Sequence, residues 1–396
     1  MTTNKNHNSP NVPNLRFPEF EGEWKKTKFG DIATGFDYGM NAAAKNYDGV
    51  NKYIRITDID EASSTYTDKD IVSPDGILTD NYLVNNRDIL LARTGASTGK
   101  SYLYKQSDGK LYYAGFLIRA NVTTHDPYFV FSQLHTHRYW RWVSIMSARS
   151  GQPGINSQEY SSFPIYTTSI EEESKIAKLL SLLDERIATQ NKIIEDLKKL
   201  KSAIIEIEYT PNTKTTSHIG NVIEQISKRN KNNAIQNVLS VSNRQGFIKQ
   251  SDQFENRNVA SEDTSNYKIV EKNDFAFNPA RINVGSIARL TTFEKGIVSP
   301  MYICFRTQEN VAPEYIDFFF ESNHFYCEIQ KRLEGSVRQC LSFEGLCNIP
   351  FSLPSLEMQE RIGKRLFTLG QKIKTETDLL ELLNKQKQYL LRQMFI

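Results

Sequence analysis

The residues most suggestive of chemistry form the glycine-rich run Gly95-Ala-Ser-Thr-Gly-Lys-Ser, which resembles a phosphate-binding loop. The run is one residue shorter than the pattern G-x-x-x-x-G-K-[ST], in which backbone amides surround a phosphate. The matching run in the second half of the chain, Ile282-Asn-Val-Gly-Ser, lacks the lysine. We therefore interpret the run from Gly95 as a turn between two strands, and nucleotide binding is disfavoured.

A second suggestive run is Asn348-Ile-Pro-Phe, which resembles the N-P-P-[FY] tetrad of amino-methyltransferases. Its counterpart is Ser162-Phe-Pro-Ile, and no glycine-rich cofactor-binding loop accompanies either run. Both are interpreted as segments that lead into long helices. The sequence also offers no metal-ligand cluster, no nuclease signature and no convincing serine–histidine–aspartate order. We therefore predict neither a catalytic centre nor a cofactor.

The cysteines leave one alternative open. Four of them lie in the second half of the chain, without a C-x-x-C pair: Cys304, Cys327, Cys340 and Cys347. A zinc site formed by Cys340, Cys347 and His324 is conceivable, although the spacing fits no common zinc finger. Reduced cysteines in or near a core are favoured. His135 and His137 fall in an aromatic-rich segment and are interpreted as structural residues.

Composition restricts the class of protein. The 396 residues exceed one ordinary core and predict two domains. The longest apolar runs, such as Ile89 to Ala92, are far too short to span a membrane. Met1 to Asn14 is polar, is predicted to be disordered, and does not resemble a signal segment. We expect a cytoplasmic protein with no membrane partner. Its net charge of +3 permits nucleic-acid binding only through local patches.

Two copies of one long helical pattern must position any functional residues. In each copy the apolar residues step by alternating threes and fours, which is the a/d seam of a coiled coil. Each residue of the second seam lies 186 positions beyond its counterpart, as Ile362 does beyond Ile176. The polar interruptions coincide as well, because Gln190 matches Glu376 and Lys201 matches Lys387. The seam residues are Ile176, Leu180, Leu183, Ile187, Ile194, Leu197, Ile204, Ile362, Leu366, Leu369, Ile373, Leu380, Leu383 and Leu390.

The rest of the chain repeats at nearly the same offset, as Asp88 and Asp274 do. We predict an α+β fold with two tandem mixed α/β modules, related by pseudo-two-fold symmetry and separated by two long helices that form an antiparallel coiled coil. Helices packed only on their own modules are the alternative, but a register sustained over four heptads favours the coiled coil. The expected parts are a disordered tail (1–14), the first module (15–165), a central helix (166–209), the second module (210–351) and a C-terminal helix (352–396).

Local patterns predict the elements of the first module. Gly35 to Asn46 is predicted to be a loop, and Tyr53 to Ile59 alternates like a strand. One helix is expected from Asp126 to about Met146, with Asp126 as its cap and a proline in its first turn. Two such modules held at a fixed separation fit a ligand with two separated parts. Duplex DNA with two half-sites is such a ligand, because its groove faces recur about every 34 Å.

The chain resembles the specificity (S) subunits of type I restriction–modification systems over nearly its whole length. The resemblance rests on the order of five runs, with a heptad helix after each half. They are Tyr53-Ile-Arg-Ile-Thr-Asp-Ile, Asp88-Ile-Leu-Leu-Ala-Arg-Thr-Gly with Gly99-Lys100, Ser150-Gly-Gln-Pro-Gly-Ile-Asn, Phe277-Asn-Pro-Ala-Arg-Ile-Asn-Val-Gly-Ser, and Ile349-Pro-Phe-Ser-Leu-Pro-Ser-Leu-Glu-Met-Gln-Glu-Arg-Ile. The first half departs from the family at Thr168-Ser-Ile-Glu-Glu-Glu, where a proline-rich approach to the helix is usual.

The resemblance implies two target-recognition domains, each reading one half of a bipartite double-stranded DNA site. The paired helices would set the spacer length and dock two adenine-N6 methyltransferase (M) subunits, and restriction/translocase (R) subunits would join for cleavage. The chain itself would carry no catalytic centre.

Candidate DNA contacts are loop residues that can reach base edges or phosphates. Arginine suits guanine, asparagine and glutamine suit adenine, and lysine more often binds phosphate. The candidates are Tyr38, Asn41, Lys45, Arg93, Lys100, Arg149, Gln152 and Asn156 in the first module, and Lys228, Arg229, Lys231, Arg281, Asn283, Arg332, Arg338 and Gln339 in the second. For each residue the alternative is an ordinary solvated side chain.

Two other functions are weighed against this one. A catalytic methyltransferase or nuclease fragment is disfavoured by the missing cofactor and metal motifs. A coiled-coil scaffold without DNA affinity would show no salt-sensitive DNA binding.

Overall fold

The computed structural model describes residues 2–3, 11–148, 152–210, 216–243, 245–253, 263–335 and 339–396. Part of the predicted tail (1–14) lies outside this range. Contacts divide the chain into two compact units. The first unit combines Met1–Asn191 with Asp378–Ile396, and the second unit is Lys192–Thr377. Each unit therefore contains one predicted module and a part of each long helix.

The first unit is built on a four-stranded antiparallel sheet with the order β4–β11–β8–β9. The strands of this unit are β1 (Thr2–Thr3), β2 (Leu15–Arg16), β3 (Lys25–Lys28), β4 (Ala33–Tyr38), β5 (Ala43–Asn46), β6 (Lys52–Ile54), β7 (Val72–Asp75), β8 (Asp88–Ala92), β9 (Ser101–Leu103), β10 (Leu111–Tyr113), β11 (Leu117–Val122) and β12 (Pro164–Thr167). Every residue of β8 is buried, which explains its unbroken apolar run.

The second unit repeats this sheet with the order β14–β21–β18–β19. Its strands are β13 (Thr216–His218), β14 (Ile223–Ile226), β15 (Val238–Ser242), β16 (Gly246–Lys249), β17 (Lys268–Glu271), β18 (Phe275–Phe277), β19 (Ile287–Arg289), β20 (Lys295–Val298), β21 (Ile303–Thr307) and β22 (Pro350–Ser352). A parallel strand pair recurs too, since Lys52 pairs with Leu111 and Val238 pairs with Ile297. The internal repeat read from the sequence is therefore a repeat of topology.

The helices complete both units. They are α1 (Phe29–Ile32), α2 (Pro127–Gln133), α3 (His137–Met146), α4 (Ser157–Ser161), α5 (Ile170–Tyr209), α6 (Gln250–Gln253), α7 (Pro313–Phe319), α8 (Asn323–Gln330), α9 (Phe343–Cys347) and α10 (Leu356–Met394). No described helix has both the length and the apolar composition that crossing a bilayer requires. The two long helices each follow a short strand, β12 or β22, which contains the proline of Ser162-Phe-Pro-Ile or Asn348-Ile-Pro-Phe.

Three local predictions need correction. The helix expected from Asp126 to Met146 is two helices, because the Thr136 side chain caps α3 by accepting a hydrogen bond from the Tyr139 amide. The loop expected from Gly35 to Asn46 contains the end of β4 and all of β5. The strand expected from Tyr53 to Ile59 ends at Ile54. A helical turn replaces its second half, because the Asp58 carboxylate accepts from the Arg55 amide at 2.8 Å.

The largest hydrophobic core of each unit includes residues from both long helices. In the first unit, Ile176 and Leu180 of α5 share a core with Leu390 of α10. In the second unit, Ile204 of α5 shares a core with Leu366 of α10. All the predicted seam residues are buried or half-buried. Burial of this stripe is the main source of stability for helices of this length in water.

Two ion pairs fix the direction of the long helices. In the first unit Lys387 binds Asp184 at 2.7 Å, and in the second unit Arg365 lies 3.6 Å from Glu208. Because the residue number on α10 falls as that on α5 rises, the helices are antiparallel. This confirms the predicted α+β class with two tandem modules and an antiparallel pair of long helices.

Candidate nucleic-acid interface

A cleft of about 650 Å³ in the first unit brings together three of the residues predicted to contact DNA. They are Tyr38, Asn41 and Arg93, and they line the cleft together with Tyr53, Arg55 and Phe116. Its walls come from the end of β4, the end of β6 with the helical turn after it, the end of β8 and the turn between β10 and β11. The cleft thus forms where several strands of the repeated plan end.

The backbone around the cleft is held by close packing. The Gly39 amide donates to Leu117 O at 3.1 Å and the Met40 amide donates to Tyr113 O at 2.8 Å. A Cβ on Gly39 would lie 2.2 Å from Ala114 O, so a glycine is required for this approach. Burial raises the pKa of Tyr53, so its hydroxyl stays protonated and donates to Met40 O at 2.7 Å. These contacts hold the backbone of Gly39 and Met40, which lines the cleft, in one position.

The two arginines of the cleft differ in charge compensation. Arg55 binds Asp58 at 2.8 Å, and this hydrogen bonding raises the pKa of its guanidinium. Arg93 has no carboxylate partner within the described part of the chain; its Nε donates to Gly115 O at 3.1 Å. Its guanidinium lies 4.8 Å from the ring centroid of Tyr38 and 6.0 Å from that of Phe116. The cleft therefore presents, in Arg93, a guanidinium that lies close to two aromatic rings and has no carboxylate partner among the described residues.

The other predicted residues of the first module occupy varied positions. Gln152 is exposed beside Gly95, in the segment whose Pro153 O accepts from the Gly95 amide at 3.0 Å. The Asn156 side chain caps α4 by accepting from the Glu159 amide. Arg149 lies outside the described residues. DNA contact by these residues stays a prediction.

Both predicted lysines of the first module are near carboxylates. Lys45 on β5 is exposed and lies 3.8 Å from Asp75. Lys100 follows the turn between β8 and β9 and lies 3.2 Å from Glu61. The pair of Lys45 and Asp75 is exposed and therefore weak in water, so Lys45 could exchange its carboxylate for a phosphate at little cost. The Lys100 side chain is only 19% exposed.

The predicted residues of the second module fall on separate loops. Lys228, Arg229 and Lys231 are exposed, and Arg229 Nη1 donates to Asn266 Oδ1 at 3.0 Å. Arg281 and Asn283 lie in the turn between β18 and β19, which contacts the segment of Gln339 through the Leu341 amide and Pro279 O at 3.1 Å. Arg332 instead binds Glu328 at 2.5 Å. Arg338 lies outside the described residues.

Sequence reasoning missed Phe116, whose side chain is 57% exposed. The residue stands in the turn between β10 and β11, outside any strand alternation, so no periodicity marked it. An exposed phenylalanine beside an arginine is recognisable only from the fold.

Metal chemistry finds no support among the described residues, where His, Cys, Asp and Glu form no group of three or more able to hold an ion. The four cysteines are free thiols, and burial raises the pKa of Cys304 to about 12. His324 Nε2 lies 2.8 Å from Pro350 O. The zinc alternative from Cys340, Cys347 and His324 therefore gains no geometry in its favour.

Comparison with known proteins places this fold in a family. The family described as Type I restriction modification DNA specificity domain matches twice, at residues 21–199 and 205–385. The two matches cover most of the chain, and the chain therefore belongs to this family. The resemblance to type I restriction–modification specificity (S) subunits is confirmed.

Individual relatives agree. The Type I restriction enzyme MjaVIII specificity subunit of Methanocaldococcus jannaschii is 24% identical over 98% of this chain and 93% of its own length. The putative type I restriction enzyme MjaX specificity subunit of that organism is 25% identical over 69% of this chain and 67% of its own length.

Solved structures share the fold. The S subunit from M. genitalium superposes with a TM-score of 0.62 at 15% identity, covering 97% of this chain and 99% of that one. A chain from a structure of a type I R-M system superposes with a TM-score of 0.51 at 14% identity, covering 94% and 97%.

Proposed function

We propose that this chain selects the DNA sequence on which a type I restriction–modification complex acts. The first module (15–165) binds one half of a bipartite duplex site, and the second module (210–351) binds the other half. The observation that carries the proposal is the repeated sheet order with different loop residues in each unit. A shared scaffold suits two equivalent groove faces, and different loops suit two different half-sites.

The same proposal assigns catalysis to partner subunits. Two adenine-N6 methyltransferase subunits dock on the chain, and restriction/translocase subunits join them for cleavage. Support comes from the family membership and from apolar side chains that α5 and α10 leave exposed. They include Leu182, Leu200, Phe367 and Leu382. A docked subunit would remove these apolar side chains from water.

Methylome sequencing tests the proposal. The full chain is expressed with its cognate methyltransferase subunit in cells that lack the modification, and N6-methyladenine is mapped across the genome. We expect one bipartite motif with a fixed spacer, and no motif when either subunit is left out. A continuous motif, or no motif with both subunits present, would contradict the proposal.

Salt dependence separates DNA recognition from a scaffold role. The purified complex is titrated with a duplex containing the motif at several salt concentrations. We expect the logarithm of the affinity to fall linearly with the logarithm of the salt concentration, because phosphate contacts release counterions. An affinity for DNA that does not change with salt concentration, or no binding to DNA, would favour the coiled-coil scaffold. Binding of S-adenosylmethionine by the isolated chain would favour the catalytic fragment.

A further inference from the structure

The geometry of the cleft points to one residue that recognises a specific base. We propose that Arg93 recognises a guanine in the half-site bound by the first module, with Tyr38 and Phe116 holding its guanidinium in place. This inference rests on the proposed function and adds a base identity to it. It applies to the first module only, because the second unit has other residues at the positions equivalent to Arg93 and Phe116.

The Arg93 backbone is fixed on both sides. Its amide donates to Phe116 O at 3.1 Å, and its carbonyl accepts from the Ile155 amide at 2.9 Å. Arg93 directly follows β8, and every residue of that strand is buried. The side chain therefore projects from a rigid base, as a recognition residue needs.

The side chain is oriented as well. The guanidinium lies close to the rings of Tyr38 and Phe116, and the Tyr38 hydroxyl accepts a hydrogen bond from the Ser157 amide at 3.2 Å. Nε is used by Gly115 O, whereas Nη1 and Nη2 have no hydrogen-bond partner among the residues that the structure describes. These two nitrogens can match the O6 and N7 acceptors of guanine in the major groove. Stacking on aromatic faces suits arginine and not lysine.

Three other arginines of the first unit are already paired. Arg16 binds Glu172, Arg55 binds Asp58, and Arg119 donates to Leu83 O and lies 3.4 Å from Asp37. Arg93 lines the cleft, its guanidinium is oriented by the hydrogen bond from Nε to Gly115 O, and Nη1 and Nη2 are available as donors. Its aromatic neighbours are exposed, 43% for Tyr38 and 57% for Phe116. Such exposed rings at a cleft mouth favour a ligand that covers them.

The second unit lacks this arrangement. Pro279 stands 186 positions beyond Arg93, and Tyr302 stands 186 beyond Phe116. Tyr302 is buried in a core of the second unit. The arrangement of Arg93, Tyr38 and Phe116 is therefore not repeated in the second module, and the inference concerns the half-site of the first module.

The test uses the full chain assembled with its methyltransferase subunit. Arg93→Lys and Arg93→Ala are compared with Arg141→Ala, whose arginine is exposed on α3 outside the cleft. Arg93→Lys keeps the positive charge and an aliphatic stem but replaces the planar fork of two donor nitrogens by a single ammonium group, which weakens the match to guanine. Each guanine of the wild-type motif is replaced in turn, and binding of the altered duplexes is measured by competition.

We expect both Arg93 variants to lose discrimination at one guanine by roughly tenfold to a hundredfold. The other half-site and the Arg141→Ala profile should stay as in the wild type. Phe116→Ala should weaken discrimination at the same guanine, because the guanidinium loses one of its flanking rings. A methylome of the Arg93→Lys strain should then accept other bases at that position.

Three results would overturn the inference. One is a wild-type motif without guanine in either half-site. Another is an unchanged base preference in Arg93→Lys and Arg93→Ala. The third is an equal loss of affinity for all duplexes with a reduced salt slope, which identifies a phosphate contact. Failure of the proposed function is distinguishable, since the wild-type complex would then yield no bipartite motif at all.

Discussion

Phe395 packs against Phe129 with their ring centroids 5.4 Å apart. Tyr209 packs against Tyr315 at 4.8 Å. Tyr209 precedes Phe395 by 186 positions, and Tyr315 follows Phe129 by the same number. The two contacts are thus copies of one another. The first module is closed by the end of α10, and the second module is closed by the end of α5.

Replacing Phe395 by alanine should destabilise the first unit by about 3–5 kcal/mol, because the ring is buried against Trp24 and Phe129. Hydrogen exchange should accelerate in α2 and stay unchanged in α7. Tyr389→Ala is the control, since that ring is 55% exposed and should change stability by less than about 0.5 kcal/mol. Equal acceleration in both units would contradict the assignment of Phe395 to the first core.

The seam lysines should contribute more than surface lysines do. Lys387 and Asp184 are 2.7 Å apart with side chains 18% and 30% exposed. A double-mutant cycle on this pair should give a coupling energy of about 1 kcal/mol. Lys199 and Glu195, both mostly exposed, should give a clearly smaller coupling energy. Equilibrium unfolding of the single and double variants measures both values. If the two pairs gave similar coupling energies, the seam would not shield the pair of Lys387 and Asp184 from solvent.

His135 should make the first unit sensitive to acid. Burial, with Lys387 nearby and Asp184 opposing, lowers the pKa of its half-buried ring to about 4. The ring nitrogen Nε2 lies 3.0 Å from Ser64 Oγ. An unfolded histidine titrates near 6.5, so the unfolded chain binds more protons between these values. Stability is therefore complete above about pH 6.5 and falls as the pH drops towards 4.

His135→Gln should remove about 1–2 kcal/mol of this loss across that interval. The free energy of unfolding measured from pH 7 to pH 4 provides the test. His137→Gln is the matched control, because His137 is exposed on the first turn of α3. The explanation fails if the wild type and His135→Gln show the same pH slope.

The buried pair of Arg16 and Glu172 should be costly to break. Arg16 Nε and Nη2 donate to the two Glu172 carboxylate oxygens at 2.7 Å each, and both side chains are almost fully buried. Arg16→Ala should destabilise by about 3–5 kcal/mol, because it leaves a buried carboxylate without its cation. The double variant Arg16→Met with Glu172→Leu should lie within about 1 kcal/mol of the wild type. Urea unfolding of the full chain compares them.

The sequence alone predicted the repeat and the paired helices well. The heptad seam from Ile176 to Ile204 and its copy depend on side-chain type alone, and a coiled coil is specified by that pattern. The division of the expected helix at Thr136 was missed, because a threonine can continue a helix or cap a new one. Tertiary packing decides between the two.

The interface was less predictable. Arg93 and Tyr38 are 55 residues apart in the sequence and meet only because β4 and β8 share the neighbour β11. Residue types alone do not distinguish Arg93, which lies close to two aromatic rings, from Arg332, which is paired with Glu328. Such distinctions depend on partners that no local pattern encodes.

The closure of the first core by residues 378–396 has a consequence for synthesis on the ribosome. Residues 192–377 are contiguous, so the second unit has all its contacts available soon after they emerge. The first unit, although translated earlier, must wait for Leu390, Met394 and Phe395. The second unit can therefore complete its fold during synthesis before the first unit does. A premature stop codon near residue 378 would leave the core of the first unit incomplete.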